Sequence, residues 1–409
     1  MKTSKLFLLV TLLLSSLCLV YIRPVNATED SWKTMAEMPT ARNGLGVVAV
    51  NGKIYAIGGE NGDATLRTNE EYDPATNTWT TKASMPTARS RFAIAVYQNK
   101  IYVIGGTTGS GTIVGQQLAT DANEVYDPLT DTWETKTPLP TPRQDLRAQT
   151  VNGKIYTLSG IHSEALFITL RFGVTEVYDL ANDSWTTKAS IPTRGWGYAS
   201  TVVDNKIYVI GGWNMTPSGW SSAKSNQVYD PETDTWSYRA ASKVALARSA
   251  ACTTTGDMAP ERIYVLGGMD EHHISDLTQA YNPETNAWSF GKTMPTARYG
   301  LGVAVVNDEF YAIGGSISVN GTYTAVAVNE RYTPLGFLPP YPYILSPKNM
   351  SYNVDSVELI FTLNDPTSLI RYSLNDQSNV TISGNVTISG LADDVYSLTV
   401  YAKDATGNW

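Results

Sequence analysis

One phrase recurs six times along this chain of 409 residues, and it limits the possible folds more than any other feature. The phrase is an apolar segment, seen best in Lys-Ile-Tyr-Ala-Ile at residues 53 to 57, that ends in two glycines or, once, in Ser-Gly. The terminal pairs begin at Gly58, Gly105, Ser159, Gly211, Gly267 and Gly314, at intervals of 47, 54, 52, 56 and 47 residues. A period of about 50 residues predicts one repeated unit of supersecondary structure.

A Tyr and a Trp follow each of the first five glycine pairs, always seven residues apart. The pairs are Tyr72 and Trp79, Tyr126 and Trp133, Tyr178 and Trp185, Tyr229 and Trp236, and Tyr281 and Trp288. The distance from the glycine pair to the Tyr instead varies from 13 to 20 residues. The fixed spacing predicts a tight hairpin, whose turn sets the register, and the variable spacing predicts a surface loop.

An arginine phrase, Pro-Thr-Ala-Arg at residues 39 to 42, precedes the first strand of the first unit and returns in variant form in the others. With the double glycine and the spaced Tyr and Trp, it resembles the kelch family over about residues 30 to 336. The resemblance implies an all-β, six-bladed kelch β-propeller whose units are four-stranded antiparallel blades.

The sixth unit lacks its Trp, because Pro339 stands seven residues after Tyr332. Trp32 lies 47 residues before Trp79, in step with the other repeats. We therefore expect the N-terminal strand to complete the last blade and close the propeller, which hides the edges of a linear array.

The two ends of the chain predict export and a second module. Residues 1 to 27 have the form of a signal peptide: Lys2 and Lys5, an apolar run, then Val-Asn-Ala. The alternative is an uncleaved anchor. The propeller would occupy residues 28 to 336, a Pro-rich linker residues 337 to 343, and a small β-sandwich residues 344 to 409. That module resembles immunoglobulin-like or fibronectin-like domains. Residues 403 to 408 read as a turn that would lead into another strand, so we expect the last strand of this module to be missing. Either the sequence is then a fragment or another element pairs with the edge.

The composition excludes several classes of function. The net charge of −8, with no basic run, argues against a nucleic-acid surface. Cys252 is the one cysteine after residue 27, so no disulfide and no cysteine-based zinc site is expected. The three His residues lack metal-ligand spacing, and no cofactor is expected. Six Asn-X-Ser/Thr sequons are glycosylation candidates: Asn182, Asn214, Asn320, Asn349, Asn379 and Asn385.

We expect ligands on the long-loop face, which carries the loops between second and third strands and the links between units. The arginine phrases place six arginines there: Arg42, Arg89, Arg143, Arg194, Arg248 and Arg298. In some kelch proteins such arginines bind acidic ligands, and the alternative is that each braces a junction between blades. The phrases at Arg194 and Arg248 deviate from the pattern. Trp196, Trp213 and Trp220 either stack on sugars or form a small loop core.

These features predict a secreted or cell-surface protein that binds a protein or glycan through the long-loop face. A membrane contact would require an uncleaved signal or an anchor beyond Trp409. One alternative is an enzyme acting on an acidic sugar, because the chain resembles the six-bladed kelch sialic acid mutarotases. Its catalytic residues are unknown, so enzyme activity is not the favoured interpretation. The other alternative is a structural surface component, and fold alone does not choose among them.

Overall fold

The computed structural model describes residues 29–62, 64–109, 118–164, 168–171, 173–216, 219–336, 342–347, 355–363, 369–375, 377–392 and 396–403. All regular structure in these residues is β-strand, and they contain no helix long and apolar enough to cross a membrane. The chain divides into two compact units, one of Glu29–Leu335 and one that contains Gly336–Trp409. The predicted signal peptide lies outside the described residues.

The Glu29–Leu335 unit contains six four-stranded antiparallel sheets, numbered here sheet 1 to sheet 6 in chain order. Strands one to four of sheet 1 are Gly46–Val50, Lys53–Ile57, Asn69–Asp73 and Thr78–Thr81. Sheet 2 has Ala93–Tyr97, Lys100–Ile104, Asn123–Asp127 and Thr132–Thr135, and sheet 3 has Arg147–Val151, Lys154–Leu158, Thr175–Asp179 and Ser184–Lys188. Sheet 4 has Ala199–Val203, Lys206–Ile210, Asn226–Asp230 and Thr235–Tyr238, and sheet 5 has Ala250–Thr253, Ile263–Leu266, Thr278–Asn282 and Ala287–Gly291. Sheet 6 has Gly302–Val306, Glu309–Ile313, Asn329–Thr333 and, as its fourth strand, Ser31–Thr34 from the start of the chain.

The loops after the second strands carry hairpins of their own. These are Glu60–Asn61 with Ala64–Thr65, Ile161–Glu164 with Ile168–Arg171, and Ser316–Val319 with Thr322–Ala325. In sheet 4 the hairpin Trp213–Thr216 with Gly219–Ser222 also pairs with Gly195–Trp196. The variable spacing in the sequence therefore corresponds to a set of extended loops at one end of the sheets.

Tyrosines join neighbouring sheets through ring contacts. The Tyr of each second strand meets the Tyr of the third strand in the next sheet, at centroid distances of 5.8 to 6.2 Å. The pairs are Tyr55 with Tyr126, Tyr102 with Tyr178, Tyr156 with Tyr229, Tyr208 with Tyr281, Tyr264 with Tyr332, and Tyr311 with Tyr72. These large apolar faces, buried between sheets, are a main source of hydrophobic stabilisation.

A second repeated contact, called here the link clamp, fixes the segment that leads into each sheet. In sheet 1 the indole Nε1 of Trp79 donates to the carbonyl oxygen of Ala36 at 2.9 Å, and the amide of Ala36 donates to Asn77 Oδ1 at 2.8 Å. Asn77 also accepts from the Tyr72 hydroxyl at 2.7 Å. The same arrangement recurs at Ala83, Thr137, Ala189, Ala240 and Lys292. Asx residues suit this turn position because they tolerate positive φ, which is 57° at Asn77.

The N-terminal strand supplies the sixth link clamp. Ser31–Thr34 pairs antiparallel with Asn329–Thr333, which places Trp32 opposite Tyr332 with ring centroids 5.0 Å apart. Trp32 Nε1 donates to the Lys292 carbonyl oxygen at 2.8 Å, and Asp30 accepts from the Lys292 amide at 2.6 Å. Asp30 and Trp32 thus take the places that Asn77 and Trp79 hold in sheet 1.

A central cavity of about 460 Å³ lies along the first strands of the six sheets. Each first strand contacts the first strands of the sheets before and after it, and that of sheet 6 contacts that of sheet 1. The cavity is therefore surrounded by the innermost strand of every sheet.

The C-terminal unit has two three-stranded antiparallel sheets in its described residues. One contains Pro342–Ser346, Ser356–Leu363 and Val386–Ser389, and the other contains Val380–Ile382, Leu369–Leu374 and Leu398–Lys403. Leu359 of the first sheet and Ile370 and Leu398 of the second belong to one buried cluster. Pro342 and Tyr343, assigned from the sequence to the linker, belong to a strand, whereas the linker residues 337 to 341 lie outside the described part.

We predict that Trp32→Ala destabilises the propeller unit as much as Trp79→Ala does. Both indoles are half-buried and make equivalent hydrogen bonds, so each truncation should lower the free energy of unfolding by about 3 kcal/mol. Guanidinium unfolding of the full chain measures both. A loss at Trp32 below about 1 kcal/mol beside a full loss at Trp79 would show that the N-terminal strand contributes little to sheet 6.

We predict that stability falls as the pH rises above about 10. Burial, reinforced in most cases by an acceptor carboxylate, raises the pKa of Tyr72, Tyr126, Tyr178, Tyr229, Tyr281 and Tyr332 in the folded state. Unfolded tyrosines lose their protons at a pH of about 10, so the unfolded state then binds fewer protons and gains stability relative to the folded state. Urea midpoints between pH 8 and 11.5 measure the loss. Tyr126→Phe should lower stability at pH 8 but make its alkaline decline shallower, and an unchanged decline would contradict the assignment to buried tyrosines.

Candidate functional site

Four of the six predicted arginines are fully buried in ion pairs. Arg42, Arg89 and Arg298 meet Glu70, Glu124 and Glu330 at 3.0, 2.7 and 2.8 Å, and Arg143 pairs with Glu176 in the same way. Each Glu lies on the third strand of its own sheet. Three of the guanidinium groups also donate to second-strand carbonyls, as Arg89 does to Val103 at 3.0 Å, whereas Arg143 donates to the Thr157 hydroxyl at 2.9 Å. Ligand binding by these four arginines would require the core ion pairs to open.

Burial is also the main influence on the charge of these arginines. It lowers the pKa of Arg42, Arg89 and Arg298 to about 10, while the partner glutamates oppose the change. The arginines therefore stay protonated at neutral pH. Each buried pair carries no net charge, which is the condition under which a charge is tolerated in a core.

The structure separates Arg194 and Arg248 from the other four. The residue that lies two positions after Arg42 has positive φ, and its equivalents in sheets 1 to 6 are Gly44, Arg91, Asp145, Gly197, Arg248 and Gly300. The residues two positions before Gly197 and Arg248 are Gly195 and Leu246, which are therefore the equivalents of Arg42 in sheets 4 and 5. Arg194 is exposed one position earlier, and Arg248 lies two positions later. The expectation of six equivalent arginines is therefore corrected to four.

The partner of each arginine changes together with it. Where the arginine is present, the third strand carries Glu70, Glu124, Glu176 or Glu330; where it is absent, the same position carries Gln227 or Gln279. Gln279 accepts from the Val244 amide at 2.9 Å, so a neutral hydrogen bond replaces the ion pair. Arginine thus occurs together with Glu, and its absence together with Gln, which supports the interpretation that the arginines brace the sheets. The sequence already contained this signal, as Glu or Gln two residues before the repeated Tyr.

Six backbone hydrogen bonds link the sheets at one end of the cavity, called here the mouth. Gly44 donates to Gly300, Arg91 to Gly44, Asp145 to Arg91, Gly197 to Asp145, Arg248 to Gly197, and Gly300 to Arg248. Five of these N–O distances are 2.7 to 2.9 Å, and that from Gly197 to Asp145 is 3.4 Å. The bonds return to their starting residue, so every sheet contributes one amide and one carbonyl to the mouth.

Charged side chains stand at three of these six positions, where the other three sheets have glycine. Arg91, Asp145 and Arg248 have φ between 52° and 54°. Non-glycine residues in this conformation are strained by about 1 kcal/mol or more and are found preferentially at functional sites. Arg91 pairs with Glu60 at 2.8 Å, and Arg248 lies 3.6 Å from Asp145. The mouth thus carries a cluster of charges. The backbone bonds of the mouth do not require these side chains, because three sheets form the same bonds with glycine.

Aromatic side chains extend this cluster outward. The Arg248 guanidinium lies 6.0 Å from the Tyr299 ring, and Tyr299 meets Tyr323 edge to face at 5.5 Å. Tyr323 is 58% exposed on the hairpin of sheet 6. Arg248, the buried Tyr299 and the exposed Tyr323 therefore form a continuous row of contacts from the mouth to a long loop.

The predicted tryptophans form a second aromatic group on sheet 4. Trp196 pairs with Trp213 in the ladder, and its ring lies 4.0 Å from that of Trp220, at 88°. Trp196 and Trp213 are half-buried, whereas Trp220 is 41% exposed. The hairpin is tied to sheet 5 by the Ser222 amide, which donates to Glu271 at 2.6 Å. The group is in part a loop core, with one indole accessible to a ligand.

The other predicted sites are dispersed. Asn182, Asn320, Asn379 and Asn385 are exposed, although Asn385 also accepts from the Phe361 amide at 3.1 Å. Asn214 is half-buried and accepts from the Tyr198 hydroxyl at 3.5 Å. Asn349 lies outside the described residues. Within the described part, no three His, Cys, Asp or Glu side chains are grouped to hold a metal ion.

We predict that the buried ion pair in sheet 6 shows strong energetic coupling. Arg298→Leu leaves Glu330 charged in the core, and Glu330→Gln leaves Arg298 without its anion, so each should cost about 3 to 5 kcal/mol. The double variant reproduces the Leu246 and Gln279 of sheet 5 and should lose less than the sum of the two by at least about 1.5 kcal/mol. Urea unfolding of the four proteins measures the coupling, and additive losses would argue against bracing.

Comparison with known proteins follows the same repeat. A family model described as "KLHDC2/KLHL20/DRC7 Kelch-repeats domain" matches residues 17–212 and 171–315, well over half of the chain. The chain is 29% identical over 221 residues to Kelch-like protein 15 of Homo sapiens, covering 49% of this chain and 34% of that protein.

Two further relatives agree. Kelch repeat and BTB domain-containing protein 12 of Homo sapiens is 34% identical over 189 residues, which cover 40% of this chain and 30% of that protein. Kelch-like protein terF of Aspergillus terreus is 28% identical over 182 residues, covering 42% and 39%. The aligned part is thus between 30% and 39% of each relative's length. The four-stranded antiparallel sheets are consistent with a kelch β-propeller, and the chain belongs to the kelch-repeat family.

Proposed function

We propose that this chain is an exported recognition protein that binds a protein partner through the long-loop face, centred on the mouth. The observation that carries this is the placement of Arg91, Asp145 and Arg248 at strained positions where other sheets have glycine. Arginine, tyrosine and tryptophan are the side chains enriched in protein interfaces. Tyr323 and Trp220 present exposed rings on the hairpins around the mouth.

The scaffold for this face is, in our proposal, a six-bladed propeller that the N-terminal strand closes. Three independent sets of contacts support it, and each includes all six sheets. They are the tyrosine contacts between sheets, the link clamps and the backbone bonds of the mouth. A closed ring would hold the loop bases in fixed positions, which favours a preorganised binding surface.

Export and the second module complete the proposal. The form of residues 1 to 27 supports secretion, and exposed Asn182, Asn320 and Asn379 would then be accessible to glycosylation. Two three-stranded sheets with a shared apolar cluster support an immunoglobulin-like or fibronectin-like sandwich after residue 343.

Binding is preferred to catalysis on an acidic sugar for a specific reason. The enzyme alternative drew its support from export, the number of blades and a ring of six arginines. Four of them are instead neutralised in the core, and Arg194 and Arg248 occupy different positions.

We predict that Arg91→Gly/Arg248→Gly weakens partner binding without unfolding the protein. Glycine suits the positive φ and is the residue that three other sheets carry there. Partners captured from secreted material of the host are identified with the wild type, purified, and titrated against wild type and variant by surface plasmon resonance. Kd should rise at least tenfold, about 1.4 kcal/mol.

Lys100→Ala/Lys206→Ala is the matched control. It removes the same charge from two half-exposed side chains beside the short Asp-Pro turns, at the opposite end of the sheets. Equal loss in both double variants would indicate non-specific attraction. Binding to a glycan array, lost with Trp220→Ala but retained in Arg91→Gly/Arg248→Gly, would replace the protein partner with a carbohydrate.

A further inference from the structure

Two exposed aromatic rings stand on the fourth strands of sheets 4 and 5. The residue two positions after the repeated Trp is threonine in the other four sheets: Thr34, Thr81, Thr135 and Thr187. In sheets 4 and 5 it is Tyr238 and Phe290, which are 57% and 51% exposed. The strand order places both rings at the edge of the sheet opposite to the first strand, away from the mouth.

The two rings have a possible structural role, which is to cover a neutral position of the sheet. Tyr238 lies opposite Gln227 in the ladder, and Phe290 lies opposite Gln279. The Tyr238 hydroxyl also lies 3.3 Å from Thr193 Oγ1. Covering these glutamines still leaves about half of each aromatic residue in water, whereas aromatic rings at protein interfaces are covered by the partner.

Cations without ion pairs surround Phe290. Residues 238 to 243 and 287 to 292 contain three cations, Arg239, Lys243 and Lys292, and no Asp or Glu, although the chain has a net charge of −8. All three are exposed, and none belongs to an ion pair among the residues that the structure describes. Lys243 Nζ lies 5.5 Å from the centroid of the Phe290 ring.

The other sheets neutralise the equivalent cation. At the position of Arg239, sheets 1 to 3 carry lysines that each pair with a carboxylate: Lys82, Lys136 and Lys188. Asp30 accepts a hydrogen bond from the Lys292 amide, not from its ammonium group. The surface formed by Tyr238, Arg239, Lys243, Phe290 and Lys292, called here the rim patch, is therefore complementary to an anionic partner.

The fourth strand of sheet 5 also has an open edge. It is last in the strand order, so one of its edges pairs with no other strand of that sheet. Charged residues commonly protect such edges, and the fourth strands of sheets 2, 3 and 6 carry Glu134, Lys188 and Lys33. Ala287–Gly291 carries no charge, as is also true in sheets 1 and 4. Its backbone N–H and C=O groups can pair with an added strand.

We propose that the rim patch docks an extended acidic segment of a partner protein, which adds as a strand to Ala287–Gly291. The backbone of the segment pairs with the open edge, an apolar side chain covers Phe290, and carboxylates meet Lys243 and Lys292. The open edge favours a peptide over a membrane surface, because a bilayer offers no row of backbone groups to pair with it. This site goes beyond the proposed function, since the mouth lies at the other edge of the sheets.

Fluorescence anisotropy of the full chain with a labelled peptide of alternating glutamate and leucine, about nine residues long, tests the site. We expect saturable binding of this peptide. Binding should be at least about tenfold weaker for the same peptide with every amide N-methylated, because it has no backbone donors. A peptide of alternating lysine and leucine should also bind at least about tenfold more weakly, because its charge is reversed.

Variants of the rim patch assign the binding to its residues. Phe290→Thr gives the residue that four other sheets carry, and it should weaken binding of the acidic peptide at least about tenfold without lowering the melting temperature. Lys243→Ala/Lys292→Ala should weaken it by a similar factor. Lys100→Ala/Lys206→Ala, which removes the same charge beside the Asp-Pro turns, should leave peptide binding unchanged.

The variant of the mouth separates this proposal from the previous one. Arg91→Gly/Arg248→Gly should bind the acidic peptide as the wild type does, and loss of binding in this variant would place the peptide at the mouth and overturn the rim site. Absence of saturable binding by the wild type also overturns it, as does equal binding of the N-methylated peptide.

Vesicles of phosphatidylcholine with about one third phosphatidylserine are the membrane probe. Binding to these vesicles without binding to the acidic peptide would replace the peptide with a lipid surface. If Phe290→Thr fails to fold, unchanged peptide binding by Lys243→Ala/Lys292→Ala overturns the proposal instead.

Discussion

The link clamp is the contact on which the arrangement of the sheets depends. One indole N–H and one Asx side chain hold the amide and the carbonyl of the same link residue, so each link is fixed at two points. A single hydrogen bond contributes only about 1 kcal/mol net, but these bonds also satisfy backbone groups that a buried link would leave unpaired. Because Asp30 and Trp32 supply the sixth set, the start of the chain is part of the same system.

The buried ion pairs act at a different level. They join the arginine phrase to the third strand of the same sheet and so fix where the first strand begins. Such pairs add little net stability compared with apolar residues of the same size, because two charges must be desolvated. Their main effect is to fix a position. A guanidinium that contacts both a third-strand carboxylate and second-strand carbonyls holds the arginine phrase in one place relative to those strands. In sheets 1, 2, 3 and 6 the mouth residue lies two positions after this anchor, whereas Gly197 and Arg248 have the same backbone conformation without it.

The fixed Tyr–Trp spacing by itself predicted a tight hairpin in each unit. The sequence predicted the four-stranded sheets through its resemblance to the kelch family. It also predicted the pairing of the strand at Trp32. It did not separate Arg194 and Arg248 from the other four arginines. All six are arginines in similar phrases, but equivalent positions are defined by backbone conformation, which the residue type alone does not report. Gln227 and Gln279 carried a usable signal.

Four sheets carry a buried Arg–Glu pair, and sheets 4 and 5 carry a neutral residue and Gln at the same two positions. This paired difference has an evolutionary consequence. Changing a charged repeat into a neutral one requires two substitutions, and either one taken alone leaves an uncompensated charge in the core. The intermediate would therefore be selected against in a fold of ordinary marginal stability. Repeats of the two kinds should consequently interconvert rarely, and sheets 4 and 5 are expected to keep their neutral pairs through long lineages as an inherited mark of their position in the ring.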